Sequence, residues 1–167
     1  MPDFDNPAEA KSRMTTDIPQ LYFDDFDIGM TFEFGDYRLS ADEIIAFGKA
    51  YDPQPYHVSR DPGPGFAMDE LIASGWQTCA VTMRMLVDNF IPETTVLPAG
   101  GVDNIRWLRP VRPDDRLRMK LTIDDLRASS SKPDRGTVKL KTETYNQNAE
   151  LVMTAVIAVL FRRRIPD

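Results

Sequence analysis

GWQTCAVTMRMLVDNFI, residues 75–91, decides how the rest of the chain must be arranged. Trp76, Cys79, Ala80, Met83, Val87 and Phe90 recur at three- and four-residue steps, and Val81, Met85, Leu86 and Ile91 fill most of the remaining circumference. A helix that is apolar nearly all round belongs inside a protein. Pro92 closes it, because proline cannot continue the hydrogen-bond ladder. The spacing therefore predicts one long buried helix, around which something else must be wrapped.

What lies downstream supplies the wrapping. VDNIRWL (102–108), RLRMKLTIDDL (116–126), TVKLKTETY (137–145) and LVMTAVIAVLF (151–161) read as strands. In the second of these, Leu117, Met119, Leu121 and Ile123 share one face, and Arg116, Arg118, Lys120 and Thr122 share the other. That period of two marks a half-buried antiparallel strand. NQNA (146–149) suits a hairpin connection. The last strand is apolar on both faces, which predicts an interior strand covered on each side. Upstream, TFEFGDYRL (31–39) alternates as a fifth strand. SADEIIAFGKAYD then opens with Ser40 and carries Glu43 three residues later, a capping box for a short helix. AMDELIAS (67–74) predicts another short helix, and Pro62, Gly63, Pro64 and Gly65 place a loop across 58–66. No βαβ alternation is present. The expected class is α+β: an antiparallel sheet of about five strands wrapped around a long central helix, as one domain over 21–167. Residues 1–20 are polar and aperiodic, and read as a mobile tail or arm.

Composition narrows the function. The chain has 167 residues, 28 % of them charged, with a net charge of −6. An acidic chain lacks the basic face of a general nucleic-acid binder. The apolar run 151–161 is too short to span a bilayer, and the RRR at 162–164 reads as a solvated strand end. No secretory or other targeting signal is visible, and a single cysteine suits a reducing compartment, so the expected compartment is cytoplasmic. One cysteine, Cys79, forms no internal disulfide and no cysteine metal cluster.

One stretch stands out chemically. AYDPQPYHVSRD (50–61) holds the only histidine, His57, five residues after Asp52. Pro53 and Pro55 stand between them, so the connection reads as stiff and non-helical. Further along, Ser74 and Gly75 begin the long helix. Unpaired N–H groups there point outward, and the helix dipole favours negative charge. Trp107 reads as a sheet-packed side chain, and Arg109, Arg112 and Arg116 either attract phosphates or line a solvated strand edge.

YFDDFDIGMTFEF, YDPQPYH, ASGWQT and WLRPVRPDDRL together resemble the MaoC-like dehydratase family, which includes the (R)-specific enoyl-CoA hydratases and has the hot-dog fold. The resemblance runs from about Tyr22 to Arg163. The family's usual D-x-N-P-x-H appears here as Asp52, Pro53, Gln54, Pro55, Tyr56, His57, with Gln54 in place of Asn. Asp114 stands at a turn where the family often has Gly. The resemblance implies reversible addition of water to a trans-2-enoyl-CoA, giving the (R)-3-hydroxyacyl-CoA. Asp52 and His57 are then expected to hold and activate one water, and Gly75 to offer its N–H to the thioester carbonyl. Gln54, Pro55, Tyr56, Ser74 and Trp76 are expected to bind substrate. No cofactor is called for beyond the coenzyme A of the substrate, and no metal. A sheet with one face on a helix leaves an edge to be covered, so a homodimer or larger homo-oligomer is expected. Two other readings stay open: a hot-dog acyl-CoA thioesterase, and a non-catalytic acyl-CoA-binding subunit.

Overall fold

The computed structural model describes residues 20–65, 68–92 and 95–164. The expected tail, apart from Gln20, lies outside the described residues. Five strands form a single antiparallel sheet: β1 (Thr31–Arg38), β2 (Val96–Trp107), β3 (Arg116–Ala128), β4 (Arg135–Tyr145) and β5 (Leu151–Arg162), in the order β1-β3-β4-β5-β2. Helix α1 (Ala41–Tyr51) and a one-turn helix α2 (Pro55–Val58) precede α3 (Gly75–Asn89), which packs against the sheet, chiefly on β1 and β3. This is the hot-dog arrangement expected from the sequence.

The strand faces are sorted as their period of two requires. Leu117, Met119, Leu121 and Ile123 of β3 are all buried, as are Val138 and Leu140 of β4 and Val152, Ile157, Val159 and Phe161 of β5. Burying each such side chain is worth about 1.5–3 kcal/mol. Phe90, just past α3, packs between Phe26, Phe32, Phe34 and Phe161 and anchors the helix C-terminus. β5 lies inside the sheet as expected, but only one of its faces is closed; Thr154, Val156, Ala158 and Leu160 are half-exposed on the other.

Helix α3 departs from the all-round apolar expectation. Its inward residues are Gln77, Thr78, Val81, Thr82, Met85 and Leu86, while Trp76, Met83 and Val87 are exposed. Most of the buried polar atoms find partners that offset their desolvation, though Gln77 Oε1 has none among the described residues. Thr82 Oγ1 meets Thr144 Oγ1 on β4 at 3.2 Å, Thr78 Oγ1 donates to Ser74 O, and Gln77 Nε2 donates to Glu43 O of α1 at 3.0 Å. The outward apolar residues face away from this chain's own core.

Local chemistry explains the boundaries. Ser40 Oγ accepts from Glu43 N and the Glu43 carboxylate accepts from Ser40 N, so the expected capping box is formed. β1 bulges between Phe34 and Tyr37, and Gly35 sits there with φ +89. A Cβ on Gly35 would lie 2.5 Å from Met85 Sδ, so the glycine lets α3 approach the strand. β2 begins at Val96 rather than at 102. Pro98, Gly100 and Gly101 disguise its first half, and edge strands tolerate such residues because their outer N–H groups have no ladder partner. Asp114 takes φ +69, the left-handed conformation that glycine adopts without strain, and is held there by Arg38 at 2.7 Å.

The RRR segment is a strand end at the surface, as expected, but two of its side chains are ion-paired. Arg163 binds Asp24 at 2.7 Å and Arg164 binds Asp25 at 2.8 Å, with Arg164 also over the Tyr22 ring. These contacts clasp the short 3-10 turn Phe23–Asp25 onto the sheet, where Phe23 occupies the space a Cβ on Gly136 would need. Among the described residues, no helix is long and apolar enough to cross a membrane.

Candidate active site

Asp52 ends α1. Pro53 excludes the helical conformation from the residue before it, and Asp52 accordingly takes φ −148, ψ 72 while its N–H still closes on Gly48 O at 2.9 Å. The chain then turns tightly: Gln54 N donates to Asp52 O, and His57 N to Gln54 O, both at 2.8 Å. The segment is partly helical after all. Pro55 starts the turn α2 at its first position, where the missing N–H costs no hydrogen bond and the fixed φ suits a helix. Two prolines thus bend the chain and restart it, bringing His57 back over the end of α1.

Gly48 makes that return possible. A Cβ at this position would collide with the His57 carbonyl oxygen and lie 3.1 Å from the His57 Cβ. The glycine inside FGKAY was the sequence signal for this close approach.

Residues 68–74 do not form the expected helix. Their backbone groups are engaged elsewhere: Ile72 N donates to Tyr56 O at 2.9 Å, and Ala73 N to Val111 O at 2.8 Å. The resulting strap places the Ile72 carbonyl 2.8 Å from His57 Nδ1. A carbonyl only accepts, so Nδ1 carries a proton, and in the neutral imidazole the lone pair is therefore at Nε2. No side-chain pattern could have revealed this backbone partner.

His57 is buried, and its Nε2 faces Asp52 Oδ2 at 3.4 Å. Ser74 Oγ donates to the same oxygen at 2.7 Å, and Gln54 Nε2 donates to Oδ1 at 2.9 Å. These hydrogen bonds, Gln54's first and Ser74's next, together with His57, outweigh burial and hold the Asp52 carboxyl below its ordinary range. Tyr56 sets its ring edge against His57 at 4.6 Å between centroids and donates its hydroxyl to Gln54 Oε1.

Ser74 also caps α3, accepting from Trp76 N at 3.3 Å. Through Ser74 the carboxylate is tied to the start of that helix, where Gly75, as first residue, has no intrahelical acceptor for its amide. The absence of a Gly75 side chain has a second cause that the sequence did not suggest. The Trp107 indole lies over it, 2.6 Å from where a Cβ would be, and Trp107 Nε1 donates to Gly75 O at 2.9 Å. Trp76 packs edge-on to Trp107 and is 60 % exposed.

Asp52, Gln54, Tyr56, His57 and Ser74 therefore form one connected constellation with Gly75 at its border. Arg109, Arg112 and Arg116 are each matched to a carboxylate, on Glu150, Glu70 and Asp36 respectively. Burial pushes the Cys79 thiol up, away from nucleophilic use, and its sulfur lies 3.7 Å from Met153 Sδ.

The chain is 26 % identical over 143 residues to YdeM of Bacillus subtilis, an uncharacterized protein, covering 86 % of this chain and all of that one. Its fold superposes on the MaoC-like dehydratase of Rhodospirillum rubrum with a TM-score of 0.80 and 33 % identity, over 87 % of this chain and 99 % of the other. The R-hydratase PhaJ1 of Pseudomonas aeruginosa shares the fold at a TM-score of 0.67 and 17 % identity, over 89 % of this chain and 93 % of that one. The pattern of the family described as the MaoC like domain matches residues 25–146, a span that holds Asp52, His57 and the start of α3. The chain belongs to the MaoC-like domain family.

Proposed function

We propose that the protein adds water to a trans-2-enoyl-CoA to give an (R)-3-hydroxyacyl-CoA, and catalyses the reverse dehydration. The observation that carries this reading is the pair Asp52 Oδ2 and His57 Nε2 at 3.4 Å, beside the first amide of α3. Family membership and the likeness of fold to an R-hydratase support it.

The roles follow from protonation. Asp52 is held as a carboxylate and is thereby a weak base, whereas His57 offers the Nε2 lone pair. Asp52 orients the water. His57 Nε2 takes its proton as the oxygen bonds to C3, and the C2–C3 π electrons move toward the thioester carbonyl. The Gly75 N–H and the dipole of α3 stabilise that oxyanion, a contribution of roughly 3–4 kcal/mol for one well-placed donor. The imidazolium, stabilised by the adjacent carboxylate, returns the proton to C2, and the carbonyl re-forms. One water has been added and His57 is neutral again.

The exposed side chains of Trp76, Trp107, Leu108 and Val102 gather around edge strand β2 and the start of α3. This apolar edge supports a homodimer. The test of function is the loss of conjugated thioester absorbance with crotonyl-CoA and longer enoyl-CoA esters. Wild type is expected to be active. Asp52→Asn and His57→Gln are each expected to lose about 10²–10⁴-fold, the range of general acid–base catalysis. Free thiol release without hydration would instead mean a thioesterase.

A further inference from the structure

The geometry points to Gln54 and Tyr56 as a positioning arm that aims the Asp52 carboxylate, rather than as groups that contact substrate. This rests on the hydratase reading above. Three side chains within one bend form the arm: the Tyr56 hydroxyl donates to Gln54 Oε1, and Gln54 Nε2 donates to Asp52 Oδ1 at 2.9 Å. The first bond settles the second. With Oε1 accepting from the phenol, the amide must turn its N–H end to the carboxylate.

The terminal torsion of an aspartate is broad and soft. Here both oxygens are held from different sides, Oδ1 by Gln54 and Oδ2 by Ser74 at 2.7 Å. Rotation is thereby removed, and Oδ2 is left facing His57. Gln54 and Ser74, both neutral donors, are the leading causes that lower the Asp52 carboxyl. Because donors favour the ionised form, the arm also keeps Asp52 a carboxylate. Glutamine at this position is what makes the linkage work. Asparagine is one methylene shorter and cannot meet both the Asp52 oxygen and the Tyr56 hydroxyl from the same backbone.

The test uses Gln54→Leu, Gln54→Asn and Tyr56→Phe in the full chain, with two readouts. The first is the titration of the Asp52 carboxyl by carbon NMR, assigned through Asp52→Asn, which is independent of activity. The second is the pH dependence of enoyl-CoA hydration. In Gln54→Leu, Asp52 titrates at higher pH than in wild type, and the acid limb of kcat/KM moves the same way. There kcat falls about tenfold or more, as for loss of a charge-assisted hydrogen bond, while KM is unchanged. Tyr56→Phe moves both readouts in the same direction by less, and Gln54→Asn does not restore them. An unmoved Asp52 titration, or a raised KM at constant kcat, overturns the arm. If wild type hydrates no enoyl thioester, the hydratase reading fails, and the NMR titration alone decides whether the arm exists.

Discussion

Gly48→Ala is the substitution for which general propensity and this structure disagree. In an ordinary helix interior, replacing glycine by alanine gains about 1 kcal/mol, because alanine loses less backbone entropy on folding. In α1 the new Cβ would meet the His57 carbonyl oxygen inside any normal contact, with the His57 carbonyl carbon at 2.9 Å. These are main-chain atoms, so no rotamer relieves the clash. Either α2 moves away from α1 or the helix distorts. Overpacking of this kind costs about 1–3 kcal/mol, which cancels or outweighs the propensity gain. A net loss of up to about 2 kcal/mol is expected, equivalent to up to roughly 8 °C in Tm for a domain of this size. The same displacement carries His57 away from Asp52, so hydration should fall more steeply than stability. Thermal unfolding and kcat/KM are measured on Gly48→Ala, with Lys49→Ala as a control on the exposed face of the same helix. A Gly48→Ala protein more stable than wild type and fully active would refute the argument that glycine is there to admit the His57 main chain.

Other parts of the fold make independent predictions. Thr82→Val leaves the buried Thr144 hydroxyl without its 3.2 Å partner and should cost about 1–3 kcal/mol in urea unfolding, whereas the double change Thr82→Val with Thr144→Val should recover part of that loss. Leu121→Ala, at a fully buried position of β3, should cost about 2–5 kcal/mol in the same assay. Asp24 and Asp25 have carboxyls held below their usual range. Arg163 is the leading cause for Asp24; for Asp25, burial acts upward but is outweighed by Arg164 and the Tyr22 N–H. Their folded values lie below the unfolded ones, so the clasp stabilises fully above about pH 4 and is lost as the pH falls through the folded values. Arg163→Ala with Arg164→Ala should flatten that acid-side dependence in a pH series of Tm values, and added salt should weaken the clasp in wild type.

The sheet was legible because its signal is local. Alternation in 116–126 and the apolar run 151–161 each encode their own burial, and Ser40 with Glu43 encodes a helix start within four residues. Helix α3 was located correctly but its faces were misjudged. Thr82 and the Gln77 amide N–H are inward because β4 and α1, far away in sequence, supply partners, and Thr78 bonds back to Ser74 in the helix's own first turn. The strap 68–74 misled for a related reason. Its residues favour helix, but long-range bonds to Tyr56 and Val111 hold it extended. At the site, Asp52, His57, Ser74 and Gln54 could be named because their side chains carry the chemistry. The Ile72 carbonyl could not, since every residue has one. The Arg side chains at 109, 112 and 116 fitted either phosphate attraction or a solvated strand edge, and the structure pairs each with a carboxylate.

The central claim is that a single imidazole, steadied by one carboxylate, both removes and returns the proton of the added water. Hydration of an enoyl-CoA in deuterated water, followed by determination of the configuration at C2 and C3, addresses this most directly. A base that works from one side delivers oxygen and deuterium to the same face, so the account predicts syn addition and an (R)-3-hydroxyacyl product in wild type. Anti addition, or the absence of any deuterated product, would contradict it.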